Sequence, residues 1–183
     1  MMISEVKLRV PVTNADHAQG PQDAPLVLLE YGDYQCPYCG QAHYIVKQLQ
    51  QALQDELRFV FRNFPLSQIH PDAVSAARAA EAAGLQHKFW GMHDTLYENQ
   101  DNLDLESLLE YAAELDLDVS KFVTDMGSRQ VEQRVANDFQ GGVRSGVNGT
   151  PTFFVNGFRY DGDWSYPALL NTLQAVLAHM PAR

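Results

Sequence analysis

The sequence predicts an α/β fold, and three observations support this prediction. An apolar strand at residues 26–30 is followed by an amphipathic helical segment and a second strand at residues 57–62. A helical block then extends from His70 to about Arg144. Strand signals return near residue 152 and lead into a final helix. The predicted order is therefore strand, helix, strand, helical block, hairpin and helix.

The first half of this order follows from two different hydrophobic periods. The run L-V-L-L-E at 26–30 is apolar up to its last residue, which predicts a central strand covered on both faces. L-R-F-V-F-R at 57–62 alternates with the period of a strand. Since a helix connects these strands, we predict a right-handed parallel crossover. After Cys36-Pro37, apolar residues at intervals of three and four form one helix face: Ala42, Ile45, Val46, Leu49 and Leu53.

The helical block begins with strong helix formers, S-A-A-R-A-A-E-A-A-G-L, and its first helix is predicted to end at Gly84. Between Glu98 and Met126 there are nine acidic residues and one lysine, so −8 of the net charge of −10 lies there. Asp104 is a predicted N-cap, and we interpret these acids as a solvated helix face rather than a docking surface. A group of apolar residues is expected to pack the block: Phe89, Trp90, Met92 and Leu96.

A hairpin and a helix complete the predicted fold. Phe153–Val155 and Phe158–Tyr160 flank Asn156-Gly157, which is the strongest two-residue hairpin signal. Ser165 is predicted to cap the last helix, which has Pro167 in its first turn.

Composition limits the class of protein. With 183 residues, 45% hydrophobic and 20% charged, the chain suits one soluble domain. The net charge of −10 argues against nucleic acid as a partner. No apolar run approaches 18 residues, so no membrane partner is expected. The apolar core of a signal peptide would be interrupted by the charged residues Glu5, Lys7 and Arg9. We therefore expect a cytoplasmic location. If a signal peptide has been removed, the location would be periplasmic or exported.

Both cysteines of the chain lie in D-Y-Q-C-P-Y-C-G-Q-A-H, two residues apart. This spacing favours a redox pair over half of a metal site or two inert thiols. A zinc site could use Cys36, Cys39 and His43, but a structural site needs a fourth ligand that the sequence does not supply. We expect His43 to be a partly exposed helix residue that faces the two thiols.

The position of the pair predicts which thiol attacks. If Cys36 is the N-cap and Pro37 the first helical residue, the free amides and the positive end of the helix dipole favour the Cys36 thiolate. Cys39 lies one turn further in and is the natural resolving thiol. The remaining histidines are expected at the surface or at helix caps: His17, His70, His87, His93 and His179.

Several segments together resemble the DsbA-like branch of the thioredoxin superfamily. These are E-Y-G-D-Y-Q-C-P-Y-C, R-N-F-P-L with His70-Pro71, K-F-W-G-M-H, and G-V-N-G-T-P-T-F-F-V-N-G. The resemblance covers nearly all of the chain from about Gly20 onward. It implies a thioredoxin fold with a helical insertion, approximately residues 66–145, between the βαβ and ββα halves of a single domain spanning 1–183.

The same resemblance implies roles for particular residues. Thr150-Pro151 would form a cis peptide bond packed against the dithiol, where the backbone of Thr150 pairs with an extended substrate. Pro37 and Tyr38, between the cysteines, would tune the thiols and border the substrate. Glu30 would be a buried acid beneath the dithiol that relays a proton for Cys39, although a strand-end glutamate that reaches water is the alternative.

We therefore predict a thiol:disulfide oxidoreductase that acts on protein or peptide thiols and disulfides without an organic cofactor or a metal. The direction of transfer stays open, because the Pro-Tyr pair also occurs in glutaredoxins. A redox partner is expected but is not identified by the sequence. The alternative is a non-catalytic module that binds extended peptides and whose cysteine pair holds a metal or is inert.

Overall fold

The computed structural model describes residues 3–180, in which a six-stranded mixed sheet is covered by helices. In chain order the strands are β1 (Ile3–Lys7), β2 (His17–Gln19), β3 (Leu26–Gly32), β4 (Leu57–Asn63), β5 (Thr152–Val155) and β6 (Phe158–Tyr160). The helices are α1 (Pro37–Leu53), α2 (Ala73–Gly84), α3 (Phe89–Glu98), α4 (Leu105–Glu114), α5 (Val119–Met126), α6 (Arg129–Arg144) and α7 (Tyr166–Ala178). The strand order in the sheet is β1-β6-β5-β3-β4-β2.

Strand β3 is the central strand, as its apolar sequence predicted. It pairs in parallel with β4 and antiparallel with β5, so that Glu30 lies opposite Phe61 on one side and Phe153 on the other. Leu26, Leu28 and Leu29 are at most 1% exposed. Because both edges of β3 are hydrogen-bonded and both faces are buried, its position in the sheet is fixed.

The two predicted halves are both present. The parallel pairing of β3 with β4 confirms the predicted parallel crossover through α1. Helices α2 to α6 lie between β4 and β5, within the predicted insertion at 66–145. Asn156 and Gly157 have φ of 47° and 83°, the left-handed values that a tight hairpin between β5 and β6 requires. The chain therefore has a thioredoxin-like fold with a helical insertion.

Helix starts in the insertion follow the expected capping chemistry. The side chain of Asp104 accepts a hydrogen bond from the Ser107 amide, which confirms it as the N-cap of α4. Asp118 and Ser128 cap α5 and α6 in the same way. In contrast, Ser165 is the N-cap residue of α7, but its side chain forms no capping hydrogen bond.

Strands β1 and β2 were not predicted from the sequence. β1 adds to the sheet beside β6, and β2 pairs with β4 at the opposite edge. β1 is mostly exposed and β2 has only three residues, so neither leaves a strong hydrophobic period. Edge strands of this kind are recognised from their hydrogen-bonding partners rather than from their own residues.

Strand β4 buries a charge that its alternating pattern does not reveal. Arg62 is only 3% exposed. Its guanidinium donates to both carboxylate oxygens of Asp16, at 2.7 and 3.0 Å, and to the carbonyl oxygens of Val10 and Pro11. The segment before β2 therefore covers this face of the sheet, and the charge is paired inside the protein.

Two apolar clusters pack on the sheet. The larger includes Leu28, Phe59 and Phe153 together with residues of α1, α2 and α3. A smaller cluster contains Leu29, Tyr31 and Phe64. The predicted packing residues Phe89, Met92 and Leu96 are buried in the larger one, while Trp90 is partly buried against it. Helix α6 closes over the smaller cluster through Phe139, which stacks on Phe64 with ring centroids 4.4 Å apart.

We predict that Gly142→Ala destabilises the protein. A Cβ on Gly142 would lie 2.6 Å from Cδ2 of Phe64 and 3.1 Å from Cδ1 of Tyr31, so α6 or these buried rings must move. Such overpacking costs about 1–3 kcal/mol, which exceeds the gain of about 1 kcal/mol in helix propensity. Urea denaturation of the variant should therefore show a lower free energy of unfolding.

Gly149→Ala is the matched control for this measurement. A Cβ at Gly149 meets nothing within 4 Å, so this variant should unfold within about 0.5 kcal/mol of the wild type. If both variants lost the same free energy of unfolding, the close approach of α6 to the sheet would be contradicted.

Candidate active site

The topology brings two distant segments to the end of β3. Residues 33–36 leave β3 and lead into α1, while the antiparallel pairing of Tyr31 with Thr152 brings the start of β5 alongside. The Thr150–Pro151 peptide bond is cis. The Cys36 Sγ donates a hydrogen bond to the Thr150 carbonyl oxygen at 3.4 Å. The candidate dithiol and the candidate substrate-binding proline therefore lie together, although 114 residues separate Cys36 from Thr150.

Cys36 begins helix α1. It is the N-cap residue, with extended backbone dihedral angles, and Pro37 is the first helical residue. Its side chain forms no capping hydrogen bond, so the first-turn amides are available to favour an anion at the Cys36 sulfur. Pro37 and Tyr38 are exposed, and Tyr38 has 59% of its surface accessible. The dipeptide between the cysteines can therefore contact a partner.

The surroundings of Cys36 lower its pKa to about 5. The main cause is a hydrogen bond with the Cys39 side chain, and the Thr150 side chain and the amides of Cys39 and Tyr38 add to it, against the opposing effect of burial. The thiol donates to the Thr150 carbonyl, whereas the thiolate can only accept. The Thr150 hydroxyl is buried without a hydrogen-bond partner among the described residues, so it is available to donate to that thiolate.

The surroundings of Cys39 shift its pKa in the opposite direction. It is fully buried, and this burial raises its pKa well above the ordinary value. The interaction with Cys36 and the negative charge of Glu30 raise it further. Both cysteines are free thiols in this structure. The site thus contains one thiol that ionises easily and a second that keeps its proton.

Glu30 lies in the middle of the sheet and is 2% exposed. Its Oε1 has no hydrogen-bond partner among residues 3–180. Burial raises the pKa of Glu30 to about 8, with a further contribution from the charge on Cys36. The structure therefore places the carboxyl group inside the protein rather than at the surface, and near neutral pH it is largely protonated.

Two residues that the sequence analysis missed hold the loop before Cys36. One Asp33 oxygen accepts from the Gln35 amide at 2.8 Å, and the other accepts from the Leu66 amide and is 2.8 Å from His70 Nδ1. Gln100 donates to the carbonyl oxygens of Tyr34 and Cys36, at 2.7 and 2.9 Å. Asp33 lies within the cysteine motif and could have been considered, but no sequence signal marks Gln100.

Two predictions about histidines were wrong. His43 was expected to be partly exposed, yet it is 4% exposed, because α3 packs over this face of α1. His93 was expected at the surface, yet it is 3% exposed, and its Nδ1 lies 3.0 Å from the Tyr34 hydroxyl. Of the histidines expected at the surface or at caps, His87 and His179 are exposed.

The zinc alternative with Cys36, Cys39 and His43 is not supported by the geometry. Among residues 3–180, the candidate ligand atoms that cluster closely belong to His43, His93 and Asp94. The two thiols are not part of this group. The dithiol and the histidine cluster are therefore separate features of the site.

Comparison with known sequences identifies the family. A family model described as "Thioredoxin" matches residues 12–175. The chain belongs to the thioredoxin family. It is 45% identical over 174 residues to "Na(+)/H(+) antiporter NhaA 1" of Salinispora arenicola, covering 94% of this chain and 26% of that protein. The match to "Na(+)/H(+) antiporter NhaA" of Herminiimonas arsenicoxydans is 45% over 162 residues, 88% of this chain and 25% of that protein.

The chain thus spans about a quarter of the length of these curated relatives. Within residues 3–180, no helix combines the length and the apolar character that a membrane crossing requires.

Solved structures with the same fold include DsbA proteins. A thioredoxin-like oxidoreductase from Silicibacter pomeroyi superposes with a TM-score of 0.81 at 27% identity, covering 92% of this chain and 95% of that one. BdbD from Bacillus subtilis gives 0.79 at 22% identity, with coverages of 89% and 93%. The thiol-disulfide exchange protein alpha-DsbA2 from Wolbachia pipientis superposes with a TM-score of 0.79 at 19% identity, covering 89% of this chain and 88% of that one. The fold is therefore the DsbA-like form of the thioredoxin fold.

We predict that Glu30→Gln stabilises the reduced protein, and increasingly so as pH rises. The pKa of Glu30 is about 8 in the folded protein, above its ordinary value of 4.5. Between these two pH values the folded state holds a proton that the unfolded state has released, so stability falls by about 1.4 kcal/mol per pH unit. The substituted amide cannot ionise, so urea denaturation from pH 5 to pH 8 should show a widening gap in favour of the variant.

The exposed Glu110→Gln substitution provides the control, because Glu110 lies on the solvent side of α4. Its stability should follow the wild-type pH profile. Parallel profiles for wild type and Glu30→Gln would contradict a buried, proton-holding Glu30.

Proposed function

We propose that this chain is a thiol:disulfide oxidoreductase acting on protein dithiols and disulfides through Cys36-Pro37-Tyr38-Cys39. The observation that supports this most is the opposite tuning of the two thiols, with the pKa of Cys36 lowered to about 5 and that of Cys39 raised. Inert buried thiols would both be raised by desolvation. The family membership and the resemblance to a thioredoxin-like oxidoreductase at 27% identity support the same activity.

In the reducing direction, the Cys36 thiolate attacks one sulfur of a substrate disulfide. A Cys36–substrate disulfide forms, and one substrate thiolate leaves. Cys39 then loses its proton and attacks the Cys36 sulfur, which closes the Cys36–Cys39 bond and releases the second substrate thiolate. Two electrons pass to the substrate and its thiolates take up protons. Oxidation of a substrate dithiol follows the reverse order.

Glu30 is proposed to accept the proton of Cys39 during the resolving step. With a pKa of about 8, Glu30 is a carboxylate in only a minor fraction of molecules near neutral pH, and this fraction, which grows as the pH rises, can accept the proton. The negative charge of Glu30 contributes to the raised pKa of Cys39, which supports an electrostatic interaction between the two groups. Glu30 is therefore the candidate base for a thiol that water cannot reach.

The substrate is proposed to bind along the cis-proline segment. Thr150 and Pro151 are partly exposed beside Cys36, and Tyr38 is exposed on the helix side of the thiols. An extended peptide could pair with the Thr150 backbone by strand addition, which recognises shape more than sequence. This arrangement supports protein or peptide partners rather than a small organic cofactor. The chain corresponds to about a quarter of the length of the relatives named as antiporters, so the antiporter activity in those names is not part of this function.

The two cysteine variants should differ in a way that separates their roles. We predict that Cys36→Ser abolishes both insulin reduction and the refolding of a reduced disulfide protein. Cys39→Ser should retain attack by Cys36 but lose resolution, and should therefore accumulate a mixed disulfide visible on non-reducing gels. Circular dichroism of both variants serves as the folding control. The proposal would be excluded if the wild-type protein were inactive in both assays. It would also be excluded if both variants accumulated the same amount of mixed disulfide.

The reduction potential is predicted to be about −220 mV. Thioredoxin has a potential of about −270 mV with an attacking-thiol pKa of about 7. Lowering that pKa to about 5, as for Cys36, stabilises the reduced form at pH 7 by about 2.3 kcal/mol, or about 50 mV. Equilibration with glutathione measures the potential, and thiolate absorbance measures the pKa independently. A potential at or below about −270 mV would contradict the tuning of Cys36.

A potential of about −220 mV would let the pair exchange in either direction with a glutathione pool. Under this proposal the redox partner and the compartment determine whether the protein oxidises or reduces its substrates.

A further inference from the structure

A polar cavity of about 200 Å³ lies on the side of α1 that faces α3. It is lined by Glu30 from β3, by His43 and Lys47 from α1, and by His93 and Asp94 from α3. Apart from Glu30, none of these residues has a part in the proposed thiol chemistry. The cavity therefore needs its own explanation.

His43 supplies the first indication of a ligand. It is 4% exposed, and its Nε2 has no hydrogen-bond partner among the described residues. Asp94 Oδ1 and Glu98 Oε1 are each 3.9 Å from this nitrogen, beyond hydrogen-bonding distance. A buried polar atom that is left unpaired destabilises the folded state. An ion between the imidazole and these carboxylates would remove that destabilisation.

His93 supplies a second, oriented imidazole. It is buried, and its Nδ1 lies 3.0 Å from the Tyr34 hydroxyl, which leaves Nε2 free. When Nδ1 carries the proton and donates it to the tyrosine oxygen, the Nε2 lone pair can bind a metal. Such a partner on the second nitrogen is the usual way in which proteins fix a metal-binding histidine.

We propose that His43, His93 and Asp94 form a binding site for a divalent transition-metal ion of the Zn²⁺ class. One donor atom from each residue lies within 4.8 Å of the others, so small side-chain movements would bring all three to the distance of about 2.0–2.2 Å that zinc requires. Two imidazoles and a carboxylate suit Zn²⁺, whereas Mg²⁺ and Ca²⁺ prefer oxygen ligands alone. Glu98 or water would complete a tetrahedral set.

Lys47 is the charged group that competes with such an ion. Its Nζ lies 2.9 Å from Asp94 Oδ2 and 3.5 Å from Glu98 Oε1. Lys47 contacts Oδ2 of Asp94, whereas Oδ1 of Asp94 faces His43. Its side chain is 38% exposed, so the ammonium group can move into water as the ion binds. Removal of this positive charge should therefore tighten metal binding.

The test uses Zn²⁺ with the Cys36→Ser/Cys39→Ser protein, so that the thiols cannot bind the metal. Calorimetric titration near pH 7 should show one ion per chain. Co²⁺ should give the visible spectrum of a tetrahedral site without sulfur-to-metal charge transfer. His43→Gln should weaken Zn²⁺ binding by more than about 100-fold, and Tyr34→Phe by about 10–100-fold through the loss of the His93 partner. Lys47→Met should strengthen it.

His87→Asn is the matched control, because His87 is exposed and lies outside the cavity. It should bind Zn²⁺ like its parent. If His43→Gln proves unfolded by circular dichroism without metal, the half-exposed Asp94→Asn replaces it and should weaken binding similarly. Absence of saturable binding in the cysteine-free protein, or equal affinities for His43→Gln and His87→Asn, would overturn the proposal. Because this experiment uses a protein without thiols, its result is independent of the proposed redox function.

Discussion

The central position of β3 is the constraint on which the rest of the molecule depends. Its two edges are paired with β4 and β5, and both of its faces are buried. The packing around its end is close enough that a Cβ on Gly32 would lie 2.5 Å from the ring of Phe61. The end of β3 lies beside the start of β5, and the chain that leaves it meets the Thr150–Pro151 segment at Cys36.

The difference between the two thiols follows from this geometry. Cys36 stands at the junction of a strand end and a helix start, where a thiolate can accept hydrogen bonds from the Cys39 side chain and from helix amides. Cys39 lies one turn further along α1 and faces the interior above the sheet, where burial opposes its ionisation. One backbone arrangement thus stabilises charge at one sulfur and disfavours it at the other.

The sequence predicted those features that depend on local periodicity or on a motif. β3, the face of α1, the Gly84 helix end and the Asn156-Gly157 hairpin each have a strong local signal, and all are present. The edge strands β1 and β2 were missed, because short exposed strands depend on distant partners for their definition. The buried states of His43 and His93 were also missed. They result from α3 packing on α1, a tertiary contact that an isolated histidine in the sequence does not indicate.

Among the described residues, buried polar groups with and without full hydrogen bonding can be distinguished, and the distinction bears on function. Arg62 is buried with hydrogen-bond partners for its whole guanidinium group, so its burial is compatible with a purely structural role. Glu30 and His43 are buried with at least one polar atom unpaired, on the same cavity beneath α1. Apolar residues at these two positions would avoid that desolvation cost. Groups that reduce stability in this way are expected where a protein exchanges protons or binds ligands, and both kinds of chemistry need the atom that the fold leaves unpaired.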